Sequence, residues 1–154
     1  MKIVIQRVIK ASVNVGGKTI GEIGNGLVVF VGVAQGDTVE DIDYLVEKAV
    51  NLRIFSDNDG KFNLSAIDIK GELLLVSQFT LLASTRKGRR PGFTDAAPPE
   101  QAEVLFNQFV LRAGSSGLKV ATGQFQAHML VEIHNDGPVT IIIDSRERLE
   151  SRRQ

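Results

Sequence analysis

The apolar pattern predicts an α+β fold in a single domain, with about eight or nine strands, mostly antiparallel, and two helices. Three observations carry that prediction. Short runs rich in Val and Ile either alternate with period 2 or lie continuously apolar between glycines. Only the stretches after Thr38 and Pro98 repeat their apolar residues at helical spacing. A length of 154 residues suits one core. Residues 1–145 are expected to form that domain, with 146–154 as a charged tail.

The chain has no cysteine, which excludes disulfides, thiolate catalysis and cysteine-bound metals. Two histidines, His128 and His134, are too few for most histidine-rich metal sites; neither a metal nor a cofactor is expected. The opening MKIVIQRVIK carries cations within its apolar run and reads as a strand, not a signal peptide. No stretch has the length to span a membrane, so the expected location is the cytoplasm. Formal net charge is +0, so contact with a nucleic acid would require a local basic patch.

Taken in order, residues 2–9 alternate, with Ile3, Ile5, Arg7 and Ile9 on one face. Arg7 among isoleucines has two explanations: a snorkelling side chain at a strand end, or a buried guanidinium that must find carbonyl or carboxylate acceptors. Ala11–Val15 and Thr19–Ile23, joined by Gly16-Gly17-Lys18, read as a hairpin, and Leu27–Val33 as a buried strand. Thr38-Val-Glu-Asp41 is a capping pattern, and Val39, Ile42, Val46, Ala49 and Val50 extend a helix to about Leu52. Arg53–Phe55 reads as a short strand before the acidic turn 56–60, which lacks the spacing of a calcium loop.

Glu72–Leu81 reads as a strong strand whose apolar run gives way to Ser77-Gln78-Phe79-Thr80. Polar residues that interrupt a core strand need partners or a purpose. From Ala83 to Ala97 there is no periodicity, and loops of this length inside a domain are usually functional or disordered. Within it Arg86, Lys87, Arg89 and Arg90 cluster beside Pro91 and Phe93, which in a neutral chain suggests a phosphate-contacting loop. Pro98-Pro99-Glu100 opens a second helix with the stripe Ala102, Leu105, Phe106, Phe109 and Ala113. Lys119–Thr122 reads as a short strand.

Met129–His134 and Val139–Asp144 both alternate and are β-branched, so each reads as a strand. Asn135-Asp136-Gly137-Pro138 between them reads as a hairpin turn. Gly137 has no Cβ and Pro138 no N–H, so the pair would present bare carbonyls and a stiff ring.

Standard catalytic sets are thin. There is no Gly-x-Ser-x-Gly elbow, His-Glu-x-x-His or phosphate-binding Gly-x-x-x-x-Gly-Lys. Thr80 could be a nucleophile, but no base can be placed beside it. What remains is main chain: amides at the end of the Ser77–Leu81 run could form an oxyanion-type site.

Ser77-Gln78-Phe79-Thr80-Leu81, followed by Asn135-Asp136-Gly137-Pro138-Val139-Thr140, resembles the paired signature of the D-aminoacyl-tRNA deacylases. The resemblance covers nearly the whole chain, including Ile5–Val8, Asn51–Phe55, Gly88–Pro91 and Thr122–Phe125. It implies curved, barrel-like β layers with the two helices on one side, and hydrolysis of the ester joining a D-amino acid to the 3′ end of tRNA. It also implies a homodimer with active sites at the subunit interface and a cis Gly137–Pro138 bond facing Ser77, Gln78, Phe79 and Thr80 of the other protomer. Arg7 would then anchor the Gly-Pro turn, with Asn135 beside it, and Met129 would line the pocket. A main-chain wall of this kind would reject an L residue through its Cβ and let glycine pass, so glycyl-tRNA cleavage is expected. His128 and Gly92 depart from the family pattern. The alternative is a non-catalytic RNA-binding module built on the basic residues of loop 86–90.

Overall fold

A computed structural model describes residues 1–150; the end of the charged tail, 151–154, lies outside the described residues. In chain order the elements are β1 (Lys2–Val15), β2 (Lys18–Ile23), β3 (Gly26–Gly32), α1 (Val39–Asn51), β4 (Phe55–Ser56), β5 (Phe62–Leu64), β6 (Glu72–Ser77), α2 (Pro99–Gly114), β7 (Lys119–Thr122) and β8 (Leu130–Asp144). β1 is the strand on which the main sheet is built. One edge pairs antiparallel with β8, from Lys2 opposite Asp144 to Asn14 opposite Leu130. Its other edge pairs first with β3 and then, past Val8, with β2.

β3 continues the sheet to β6 and β7, and both of these pairings are parallel. Parallel neighbours need crossover connections, and α1 and α2 fall within them. Both helices pack on the sheet face carrying Ile3, Ile5, Leu27, Val29, Leu73 and Leu75. The opposite face, with Val28, Leu74 and Val76, forms a second core with Val13 and Ile23 as β2 curls over. That curl brings Gly21 so close to β7 that a Cβ there would stand 2.7 Å from the Thr122 carbonyl oxygen. The sheet is therefore nearly closed and barrel-like, with β4 and β5 as a small separate sheet.

The helices form as their sequences require. The Asp41 carboxylate accepts the Thr38 N–H at 2.8 Å, satisfying a donor at the start of α1. In α2 prolines open the first turn and all five stripe residues are buried. Past β8, a short 3-10 helix (Ser145–Leu149) docks on α1, with Arg148 Nε 3.2 Å from Asp41 Oδ1. Among the described residues no helix is long and apolar enough to cross a membrane.

Four local expectations are corrected. Residues 2–9 and 11–15 are one strand, not two, because β8 supplies a continuous partner. Ile9 leaves the face of Ile3 and Ile5 and is exposed, because register shifts around Val8 reverse the alternation. The strand from Glu72 stops at Ser77: the Gln78 N–H donates to the Val31 carbonyl at 2.8 Å, β3 then ends, and Phe79–Leu82 winds into a 3-10 helix. Gly32 permits that turn, since a Cβ there would lie 2.5 Å from Leu82 Cδ2.

The fourth correction concerns residues 129–144. Asn135–Pro138 does not reverse the chain. Both flanks run in one direction and pair with the same strand, Asn135 opposite Val8 and Thr140 opposite Gln6. Residues 136–139 are thus an excursion from a single long strand. Asx-Gly between alternating runs favours a hairpin locally, but a ready partner along the whole of β1 prevails.

Glu72 secures the sheet where β2, β3 and β7 meet. The Gly24 N–H donates to it at 2.9 Å and Lys119 Nζ lies 2.9 Å away, and these two contacts, in that order, hold its carboxyl below the ordinary value. A depressed folded-state pKa gives stability that is present above the unfolded value and lost as pH falls through the folded one. Glu72→Gln should therefore destabilise the protein at neutral pH and flatten the fall of thermal melting temperature below about pH 4.5. A variant whose melting profile matches the parent across that range would show the contact to be neutral.

Candidate active site

β3 and β6 end side by side, and in sheets with parallel strands the crevice beyond their carboxyl ends is where ligands collect. A cavity of about 790 Å³ opens there. Ser77, Gln78 and Phe79 form one wall, Phe93 and Pro98 another, and the 125–129 segment before β8 closes it, with Met129 in the lining. Its volume suits a ligand of a few rings.

The strand-to-helix break at Ser77 shapes this wall. Ser77 and Gln78 are half-buried and Phe79 is 55% exposed, its ring meeting Phe93 edge-on at 4.9 Å. Thr80 lies just outside the lining, and its hydroxyl accepts a hydrogen bond from the Gln78 amide. His128 is the imidazole in the cavity lining, and neither it nor any carboxylate among the described residues is hydrogen-bonded to Thr80, so no general base is paired with the hydroxyl. The N–H groups of Phe79 and Thr80 begin the 3-10 helix, and opening amides have no acceptor within such a turn.

The second cluster surrounds the excursion from β8. Arg7 is 9% exposed, so the buried-guanidinium explanation is the correct one. Its Nη1 donates to the Ile54 carbonyl at 2.7 Å, its Nε to the Asp136 carbonyl at 3.0 Å, and the Phe62 ring lies 5.3 Å from the guanidinium carbon. Asn135 Nδ2 donates to Gln6 Oε1 at 2.7 Å, tying the stem of the excursion. Gly137 and Pro138 are exposed at its tip and the bond between them is cis. Gly137 has φ 127°, and a Cβ there would lie 3.0 Å from Arg7 Nη2, so glycine meets both the conformation and the space.

Within one protomer the sequence-predicted residues therefore fall into separate groups. Ser77, Gln78, Phe79 and Met129 share the cavity, whereas Arg7, Asn135, Gly137 and Pro138 share the excursion and none of these lines the cavity. Arg86, Lys87, Arg89 and Arg90 form a third group, all exposed on a loop closed by mutual Ser84–Gly92 hydrogen bonds of 2.8 and 2.9 Å. The chain leaving that closure reaches Phe93 in the cavity wall. Sequence reading assigned no role to Phe93, Phe125 or Gln126; aromatic residues beside turn glycines were the available signal for the first two, and Gln126 gave none.

This arrangement defines an α+β protein with a partly apolar cavity beyond the carboxyl ends of its parallel strands. A family model described as D-Tyr-tRNA(Tyr) deacylase matches residues 4–144, and the chain belongs to that family, an ester hydrolase by class. It is 62% identical over 152 residues to a D-aminoacyl-tRNA deacylase of Dehalococcoides mccartyi, covering 99% of both chains. A solved structure titled c-Myc DNA Unwinding Element Binding Protein superposes with a TM-score of 0.88 at 44% identity, covering 94% of this chain and 98% of that one. A probable eukaryotic D-amino acid tRNA deacylase, 16% identical, shares the fold with a TM-score of 0.80, covering 92% of this chain and 97% of its own.

Arg7→Met would leave the Ile54 and Asp136 carbonyls without their charged donor. It should lower unfolding stability by about 3 kcal/mol, with Arg7→Lys intermediate because an ammonium cannot reproduce the fork. Urea denaturation of the three proteins tests this, and equal midpoints would mean that water replaces the guanidinium without cost.

Proposed function

We propose that this protein hydrolyses the ester bond of D-aminoacyl-tRNA, releasing the D-amino acid and free tRNA, and so acts in chiral proofreading during translation in the cytoplasm. The observation that carries the reading is the separation just described. The cavity holds a main-chain wall with no general base hydrogen-bonded to the neighbouring Thr80, while the Gly137–Pro138 tip stands exposed on a tied excursion elsewhere on the same protomer. A homodimer in which the tip of one protomer enters the cavity of the other unites both groups at the subunit interface.

In that arrangement Gly137 and Pro138 face Ser77–Thr80 of the partner chain and present carbonyl oxygens to the substrate α-carbon. An L side chain collides with this wall through its Cβ, a D side chain points away, and glycine passes, so mischarged glycyl-tRNA is also cleaved. Opening amides at Phe79 and Thr80 hold the ester carbonyl oxygen as charge develops on it. Water attacks the carbonyl carbon, the bond to the ribose 3′-oxygen breaks, and that oxygen takes up a proton. The neighbouring 2′-hydroxyl helps to position the water. Thr80 contributes its backbone, not a nucleophilic hydroxyl. Arg86, Lys87, Arg89 and Arg90 contact the phosphates leading to the acceptor end.

Matched D- and L-aminoacyl-tRNA provide the test. Release of the D-amino acid alone is expected, and Thr80→Ala should retain turnover within about threefold, far from the loss that accompanies removal of a true nucleophile. Release from neither substrate would favour a non-catalytic RNA-binding module using loop 86–90, and equal release from both would remove the stereochemical argument.

Replacing Arg89 and Arg90 together by Ala should weaken tRNA binding irrespective of sequence and lower the slope of log K against log salt by about 2. An unchanged slope in a salt titration would place the phosphate contacts elsewhere.

A further inference from the structure

Among the described residues only Lys70 and Gln126 combine a positive φ with a side chain. Lys70, at φ 52°, sits in the turn before Gly71, where the Lys70 N–H donates to the Ile67 carbonyl at 3.1 Å. Gln126, at φ 61°, sits in the cavity wall. Strained backbone that borders a cavity points to a role there when its surroundings fix it, and here they do. At the start of the segment the Gly123 N–H donates to the Leu75 carbonyl at 3.2 Å, and a Cβ on Gly123 would strike Met129 Sδ at 2.6 Å. The Ala127 N–H closes the turn on the Gln124 carbonyl at 3.2 Å. Gln126 is exposed to the cavity and its carboxamide makes no hydrogen bond with another described residue.

Thus a fixed backbone carries an unpaired donor–acceptor side chain into the lining of a cavity that also contains Phe125 and the Phe79–Phe93 pair. Aromatic rings offer stacking surfaces for a planar base, and a glutamine carboxamide matches the N6 and N7 edge of adenine in a bidentate manner. Every tRNA ends in adenosine. We propose that the Gln126 side chain reads the adenine of the terminal adenosine to which the amino acid is esterified, an inference that rests on the deacylase reading above. Gln126 is then a positioning residue: it fixes the nucleoside, and thereby the ester, against the Ser77–Thr80 wall.

The experiment compares D-aminoacyl-tRNA ending in adenosine with the same tRNA ending in 7-deazaadenosine, which has a C–H in place of N7. For the unaltered protein, kcat/KM should fall about tenfold on the deaza substrate, chiefly through KM. Gln126→Gly, which suits the left-handed backbone, should melt at a higher temperature and cleave both substrates equally, at the level of the parent on the deaza form. Gln126→Asn keeps the carboxamide but falls short by one methylene, and should behave like the glycine variant in its indifference to N7. A purely structural role would move the melting temperature and leave the discrimination untouched. Equal discrimination by parent and Gln126→Gly would overturn the inference while leaving the deacylase reading intact. Absence of cleavage of the adenosine-terminated substrate by the parent would overturn both.

Discussion

The buried guanidinium of Arg7 is the constraint from which the candidate site follows. A charge this far from water must be met by acceptors, and the described structure supplies main-chain carbonyls from two distant parts of the chain, Ile54 and Asp136. One side chain therefore joins the central strand, the connection leading into the small β4–β5 sheet, and the tip carried by β8. Phe62 of that small sheet covers the guanidinium from another side. The alternation of β1 reverses beside Arg7, with Val8 also buried, and it is opposite this irregularity that β8 departs from the ladder. The excursion and the charge that anchors it are one structural unit.

The parallel strands define the other half of the site. Because α1 and α2 occupy the crossovers on one face, the carboxyl ends of β3 and β6 stay open to form a cavity. The loop carrying the four cations is not a free flap. Its base is closed by Ser84 and Gly92, and its far end returns to the residue after β3, where the Ala97 N–H donates to the Val33 carbonyl at 3.0 Å. Positive charge is thus held on a closed loop whose base leads directly to the cavity-lining Phe93, although the chain as a whole carries no net charge.

Much of this was legible beforehand, for identifiable reasons. The α2 stripe of Ala102, Leu105, Phe106, Phe109 and Ala113 is an intrinsic helical period, and every member is buried. Thr38 and Asp41 marked the start of α1 because a cap is a local interaction. Arg7 stood out as a cation among isoleucines, though its partners, at positions 54 and 136, could not be named from a strand pattern. Misreadings arose where a local preference met a longer-range partner. Gln78–Leu81 kept the alternation of a strand yet coiled away once β3 ended, and the Asp-Gly sequence of a hairpin became a detour within one strand.

Alone, the sequence determined the α+β class, both helices, the basic loop and the two motifs, because propensity, capping and periodicity act over a few neighbouring residues. Tertiary structure decided that β1 is the shared partner of three strands, that the Gly-Pro tip stands apart from the Ser77–Phe79 cavity, and that Gln126 borders that cavity. Those relations depend on which strand finds which edge, and pairing between residues more than a hundred positions apart leaves no signature in any local stretch.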